Sequence, residues 1–216
     1  MLARPQRLFW DEAAVRVPRR FALYGGTAIA LRLGHRQSVD FDFFSETDLG
    51  SDEIERDLCP PAHTQTLERG PQTLVAALAL GDDEVRLAFF GKLGIGRVGI
   101  PDVAHNGVTI ASSLDLLATK LKALHDRIEA RDYLDIAALL SSGPSLSAGI
   151  MAARALFGPR LNPLDTAKAV AWFKDGDLER TLPARTRSYL ERTVADFDPA
   201  TRIPRRLAME LTCAAK

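Results

Sequence analysis

The chain has 216 residues, enough for one large domain or two small ones around a real core. Hydrophobic residues are 46% and charged residues 26%, a balance that excludes a disordered or fibrous chain and suits a soluble globular one. Lys plus Arg is 28 and Asp plus Glu is 28, so net charge gives no pointer to a nucleic-acid partner, although a basic face balanced by an acidic one is compatible with these totals. The charge is uneven: 40–57 is acidic, and arginines gather from Arg180 to Arg206. The two cysteines, Cys59 and Cys213, are far apart and have no metal-type spacing, so a reduced cytoplasmic protein is expected. The first residues contain no long apolar stretch of the secretory kind, and no apolar run approaches the ~20 residues of a membrane span.

In chain order, 7–16 reads as a short helix and 21–25 as a compact strand ending at a glycine pair. A short helix over 27–34 follows, with Thr27 near its start and Gly34 at its end. Residues 39–45 alternate strictly, with Val39, Phe41 and Phe43 on one side and Asp40 and Asp42 on the other. The segment 51–59 has Ser51 as the expected N-cap and acidic residues in its first turn, and Pro60 and Pro61 end it. Strands are expected over 63–70, 73–80 and 84–91, with a turn at Gly81, Asp82 and Asp83. A glycine-rich irregular stretch, 92–107, leads to a short strand at 108–112. From Ser113 the pattern becomes helical, with Leu114, Leu117, Leu121 and Leu124 on one stripe and Tyr133, Ile136, Ala137 and Leu140 on the next. Gly143 and Pro144 stop that second helix, and further helices are expected at 147–157, 163–175 and 183–196. The reading is an α+β part, 1–112, followed by a helical part, 113–216.

The stretch from Tyr24 to Ser45 carries the chemistry. Residues two apart on a strand share a face about 7 Å apart, so Asp40 and Asp42 project together while the phenylalanines pack inward. Two adjacent carboxylates repel unless a positive group lies between them, and a divalent cation fills that role. Mg²⁺ in particular favours carboxylates plus substrate phosphates over an all-protein cage. Gly25, Gly26 and Thr27 stand where a strand turns into a helix, where glycines admit close backbone approach and the helix start offers free N–H groups. A glycine pair alone is a common turn, and an alternating aspartate pair alone is common on exposed strands. Their conjunction at this spacing describes a metal–triphosphate site.

The run GGTAIALRLGHRQSVDFDFFS resembles the signature of the AbiEii/AbiGii nucleotidyltransferase toxin family, within the DNA polymerase β-like nucleotidyltransferase superfamily. The matching residues are Gly25, Gly26 and Thr27, then His35, Arg36, Ser38, Asp40 and Asp42. LLATKLKALHDRIEARDYLDIAALL is similar to the later family motifs, a helix with a lysine followed by an Arg-Asp-x-x-Asp helix. The segment 169–177 also resembles a common family segment, so the likeness covers roughly 20 to 180.

The resemblance implies a polymerase β-like mixed sheet with helices, a C-terminal helical domain and an NTP site in a cleft between the two. It also implies Mg²⁺-dependent transfer of an NMP from an NTP to a hydroxyl on RNA, such as tRNA, or on protein. A toxin of a toxin–antitoxin or abortive-infection system, with a cognate antitoxin, is the implied setting. By the same resemblance Asp40 and Asp42 hold metal, while Gly25, Gly26 and Thr27 bind phosphates. Lys120 pairs with the triphosphate, with Lys122 second because it points to another helix face. Asp132 orients Lys120 or contacts substrate. Asp132 is equally readable as a helix-surface partner of an arginine, and Asp135 as a salt-bridge partner of Arg131 or Arg127. Arg36 and Ser38 precede the metal strand and join the implied nucleotide-binding set, where Arg36 either contacts phosphate or braces the loop. His35 reads as a loop residue, and the other histidines form no metal set. Phe41, Phe43, Phe89 and Phe90 read as core. The late arginines read either as a basic wall for a phosphate-rich acceptor or as a solvated face.

One departure stands out. Enzymes of the superfamily usually add a third carboxylate from a neighbouring strand, and the corresponding position here is Ala88. Glu84 sits at the start of that strand, two residues early, from where its side chain could reach in. A catalytically weak nucleotide-binding or interaction module therefore competes with the transferase reading. A small-molecule adenylyltransferase of the antibiotic-modifying sort is a further alternative.

Overall fold

The computed structural model describes residues 2–58, 63–176 and 178–212. Cys59, Cys213 and the two prolines expected to end the third helix lie outside the described residues. The chain divides into two units, one of Met1–Ser112 with Ala208–Lys216 and one of Ser113–Leu207.

The first unit has the α+β class and mixed sheet expected of it. Its strands are β1 (Ala22–Tyr24), β2 (Asp40–Phe44), β3 (Thr64–Gly70), β4 (Thr73–Leu80), β5 (Asp83–Phe90), β6 (Asp102–Val103) and β7 (Thr109–Ile110). They form one sheet in the order β3-β4-β5-β2-β1-β7-β6. β2 lies in the middle, antiparallel to β1 and parallel to β5.

Alternation in β2 dictates what each face does. Phe41 and Phe43 are fully buried, while Asp40 and Asp42 are partly exposed. Phe41 packs at 4.7 Å on Phe9, and Phe43 stacks at 5.0 Å on Phe89. Each such ring contributes roughly 2–3 kcal/mol by burial. Val39 falls outside the strand and is exposed, so the apolar alternation is one residue shorter than expected. Phe90 turns to the opposite face and sits edge-on to Phe44, which itself stacks on Tyr24 at 4.7 Å.

The expected first helix, 7–16, is three pieces: α1 (Arg4–Leu8), a π-helical turn (Phe9–Ala13) and a 3₁₀ turn (Ala14–Arg16). α2 (Gly25–Leu33) starts two residues before Thr27, because Gly25 adopts a φ of 68° directly after the extended Tyr24. Gly34, left-handed at φ 61°, ends it. In α3 (Ser51–Asp57) the N-cap is Gly50 and not Ser51, since the left-handed Gly50 already provides the turn. The segment from Ala208 returns to this unit: the Arg97 N–H donates to the Ala208 carbonyl, and the fully buried Leu211 donates its N–H to Glu46.

The second unit is helical, with α4 (Ser113–Ala123), α5 (Ala130–Ser141), α6 (Leu146–Phe157), α7 (Pro163–Val170), α8 (Leu178–Thr181) and α9 (Ala184–Ala195). α4 and α6 pack tightly: a Cβ on Gly149 would stand 2.4 Å from Leu117 Cδ2, so a larger residue there would have to displace that leucine. Ser145 and Asn162 cap α6 and α7 by accepting from Ala148 N and Leu164 N. α7 stops five residues short of the expected 175. The Tyr133 hydroxyl lies 3.2 Å from the carbonyl oxygens of both Ala169 and Trp172 and satisfies this end. Among the described residues no single helix is long and apolar enough to cross a membrane.

Candidate functional site

The start of α2 is built against the carboxylates of β2. A Cβ on Gly25 would lie 2.0 Å from Asp42 Oδ2, and the residue's positive φ also favours glycine. At Gly26 the crowding group is Arg36, whose Nη2 would be 2.5 Å from a Cβ, with Ser38 Oγ at 3.1 Å. Arg36 thus folds back over the first turn, and its Nη1 donates to the Gln37 carbonyl at 2.8 Å. The N-cap residue of this helix, Tyr24, makes no side-chain capping hydrogen bond.

Thr27 is fully buried. Its hydroxyl bonds the main-chain carbonyl of Asp40 and lies 2.9 Å from the buried Ser38 hydroxyl. Thr27 and Ser38 therefore fasten the helix to the strand behind the carboxylates; Gly25 is partly exposed at the turn, while Gly26 and Thr27 are buried.

The sheet register fixes the neighbours of the acidic pair. Asp42 lies between Tyr24 on β1 and Ala88 on β5, while Asp40 pairs with Arg86. Ala88 is the residue beside Asp42 where a third acid was sought, and it is buried. Glu84 shares the face of Arg86 but lies two residues beyond it, opposite Ala79 and beside no residue of β2. Among the described residues no group of three or more His, Cys, Asp or Glu could hold a metal ion.

The second unit contains a separate charged cluster. Lys120 is buried, and its Nζ lies 2.7 Å from Asp132 Oδ1 and 2.7 Å from Asp135 Oδ2. Arg127 adds bonds from Nε to Asp132 Oδ2 at 2.9 Å and from Nη2 to Oδ1 at 3.2 Å. Both aspartates have no exposed surface. Burial alone would raise the Asp132 pKa, but the Arg127 hydrogen bond and the Lys120 charge outweigh it and hold the carboxyl below its ordinary value.

Asp132 is thus not the helix-surface residue of one sequence reading. Asp135 joins Lys120, while Arg131, one of its expected partners, turns to Glu129. Lys122 points elsewhere, to Asp126 at 2.6 Å. The signal for burial was present: Lys120 lies within the leucine stripe of α4, and Asp132 and Asp135 flank Tyr133 and Ile136 on the apolar face of α5. The histidines are scattered, with His125 bonded to Thr166 and His105 beside Asp11. Of the late arginines, Arg206 donates to the carbonyls of Ala155 and Leu156.

Comparison with known proteins places this geometry. The model of the nucleotidyl transferase AbiEii toxin family, of type IV toxin–antitoxin systems, matches residues 9–206. An uncharacterized protein of Aquifex aeolicus, aq_aa25, is 31% identical over 119 residues, which are 54% of this chain; the match spans 55% of the length of that relative. The crystal structure of JHP933 from Helicobacter pylori is similar with a TM-score of 0.56 at 17% identity, covering 90% of this chain and 92% of that one. A second H. pylori crystal structure, described as a "putative nucleotidyltransferase", has a TM-score of 0.57 at 16% identity, covering 88% and 91%. At these identities the two structures speak for the shared fold.

Proposed function

Since the chain belongs to the nucleotidyl transferase AbiEii toxin family, we propose that its first unit binds an NTP at the start of α2 and transfers the NMP to an acceptor hydroxyl on RNA or protein. The observation that carries this reading is the contact between Gly25 and Asp42. A glycine at positive φ brings a helix start against one of two carboxylates on the same strand face. Such a helix start is suited to phosphates, and such a carboxylate pair to a cation.

In the transfer, the acceptor oxygen attacks the α-phosphorus and forms the new P–O bond. The bond from the α-phosphorus to the α,β-bridging oxygen breaks, pyrophosphate leaves, and the hydroxyl proton passes to water. In this reading backbone N–H groups at the start of α2 hold phosphate oxygens, and Arg36, folded over Gly26, adds a donor fork. Thr27 acts through its hold on the Asp40 carbonyl. Asp40 and Asp42 would hold one Mg²⁺, since among the described residues no third acid joins them. Bound there, Mg²⁺ would neutralise triphosphate charge and lower the pKa of the attacking hydroxyl. Lys120 and Asp132 keep a proposed catalytic role, with Asp132 and Asp135 fixing the position of the ammonium. A cognate antitoxin is the proposed partner, in line with the family's type IV setting.

A second reading has its own support. Ala88 beside Asp42 favours a nucleotide-binding module that transfers slowly or not at all. The test is transfer of label from each of four α-³²P NTPs, with Mg²⁺, to total cell RNA and protein. Label with wild type and none with Asp42→Ala supports the transferase, and the labelled band identifies the acceptor class. NTP binding without label supports the second reading.

A further inference from the structure

The row of side chains running across the sheet at Asp40 is unusual in its charge. In register it reads Asp40 on β2, Arg86 on β5, Ala77 on β4 and Gln65 on β3. Adjacent strands lie about 4.8 Å apart, so Arg86 projects from the same face as Asp40 and directly beside it. Arg86 is exposed, and among the described residues no ion pair or hydrogen bond holds it. The small Ala77 on its other side leaves the long side chain free to lean toward the carboxylates. The next row contains Asp42 and the neutral, buried Ala88. On one strand, then, a cation stands beside the first aspartate and no acid stands beside the second.

These two features belong together chemically. Two carboxylates and a triphosphate make a strongly anionic assembly that a single divalent ion does not neutralise. A second divalent ion would need a third acidic ligand, and Ala88 supplies none. A guanidinium offers a permanent charge and a planar donor fork matched to phosphate oxygens.

Resting on the NTP-site reading above, we propose that Arg86 is a catalytic residue that bonds the substrate phosphates on the Asp40 side. Its charge takes the place of a second metal ion, and the site holds one divalent cation per nucleotide.

The test uses the full chain, a non-hydrolysable α,β-methylene ATP analogue and Mn²⁺, whose paramagnetism allows bound ions to be counted. Wild type is expected to bind one Mn²⁺ per chain with the analogue, and Asp42→Asn to lose that binding. Arg86→Ala is expected to keep the count at one while weakening the analogue about tenfold, with Arg86→Lys recovering part of the loss. Because Arg86 is exposed, its thermal melting curve should stay at the wild-type position, which separates this loss from misfolding. If Arg86 merely screened Asp40, its removal would tighten Mn²⁺ and leave the analogue's affinity unchanged; that result overturns the proposal and leaves the NTP site standing. Two Mn²⁺ per wild-type chain would also overturn it. Absence of any Mn²⁺–analogue binding in wild type would remove both the proposal and the site beneath it.

Discussion

The two units treat their aspartates in opposite ways. In the first, Asp40 and Asp42 stand on a partly exposed strand face, braced by a glycine turn and flanked by Arg86 and Ala88. In the second, Asp132 and Asp135 are fully buried and receive charge from Lys120 and, at Asp132, Arg127. Buried charges must be compensated within the fold, so removing a member of the second cluster costs stability whatever part the cluster has in transfer. An acidic pair at the surface is tolerated by solvent, and in the proposed reading its removal is felt in ligand binding. The same residue type is thus solvent-facing in one place and buried with charged partners in the other.

Substitutions can break this contrast. The largest effect expected is on transfer by Asp42→Ala, a loss of about a thousandfold or more in labelled product, with a melting temperature near wild type. Lys120→Met should do the reverse in emphasis. It leaves two buried carboxylates short of a partner and should cost about 3–5 kcal/mol in denaturant unfolding. A Lys120→Met protein that melts like wild type would show that the cluster is not structural.

Gly25→Ala sharpens the comparison from the backbone side. Its methyl group would overlap the Asp42 carboxylate, and its φ of 68° strains any side chain. We expect roughly a hundredfold loss of transfer from the displaced carboxylate, with about 1 kcal/mol of stability.

The smallest effect is in pH. The folded-state pKa of Asp132 is lowered, so its contribution to stability is fully present above the ordinary value of 3.8. It is lost as pH falls through the lower folded value. Wild-type stability measured through this acid range should therefore fall more steeply than that of Asp132→Asn, and parallel curves would contradict the assignment.

Much of this was legible in the sequence, for physical reasons. The period-2 pattern at 40–44 and the leucine stripe at α4 each reflect one buried face, and a buried face leaves a regular trace. The Gly-Gly turn was visible because a positive φ favours glycine, and the aspartate pair because it alternates with buried phenylalanines. What was not legible depended on a single backbone angle or on distant partners. The start of α2 at Gly25 and the cap of α3 at Gly50 follow from positive φ at particular glycines. The end of α7 depends on Tyr133 from another helix. Arg86 became notable only once register set it beside Asp40. The pairing of Asp135 with Lys120 needed the packing of α4 on α5, although the spacing of Asp132 and Asp135 already put both on one face.

The most direct test of the central claim is a crystal soaked with Mn²⁺ and the α,β-methylene ATP analogue, read by anomalous scattering. An anomalous peak at Asp40 and Asp42, with phosphate density at the first turn of α2, is the result expected. A nucleotide bound elsewhere, with no ion at these two carboxylates, would contradict it.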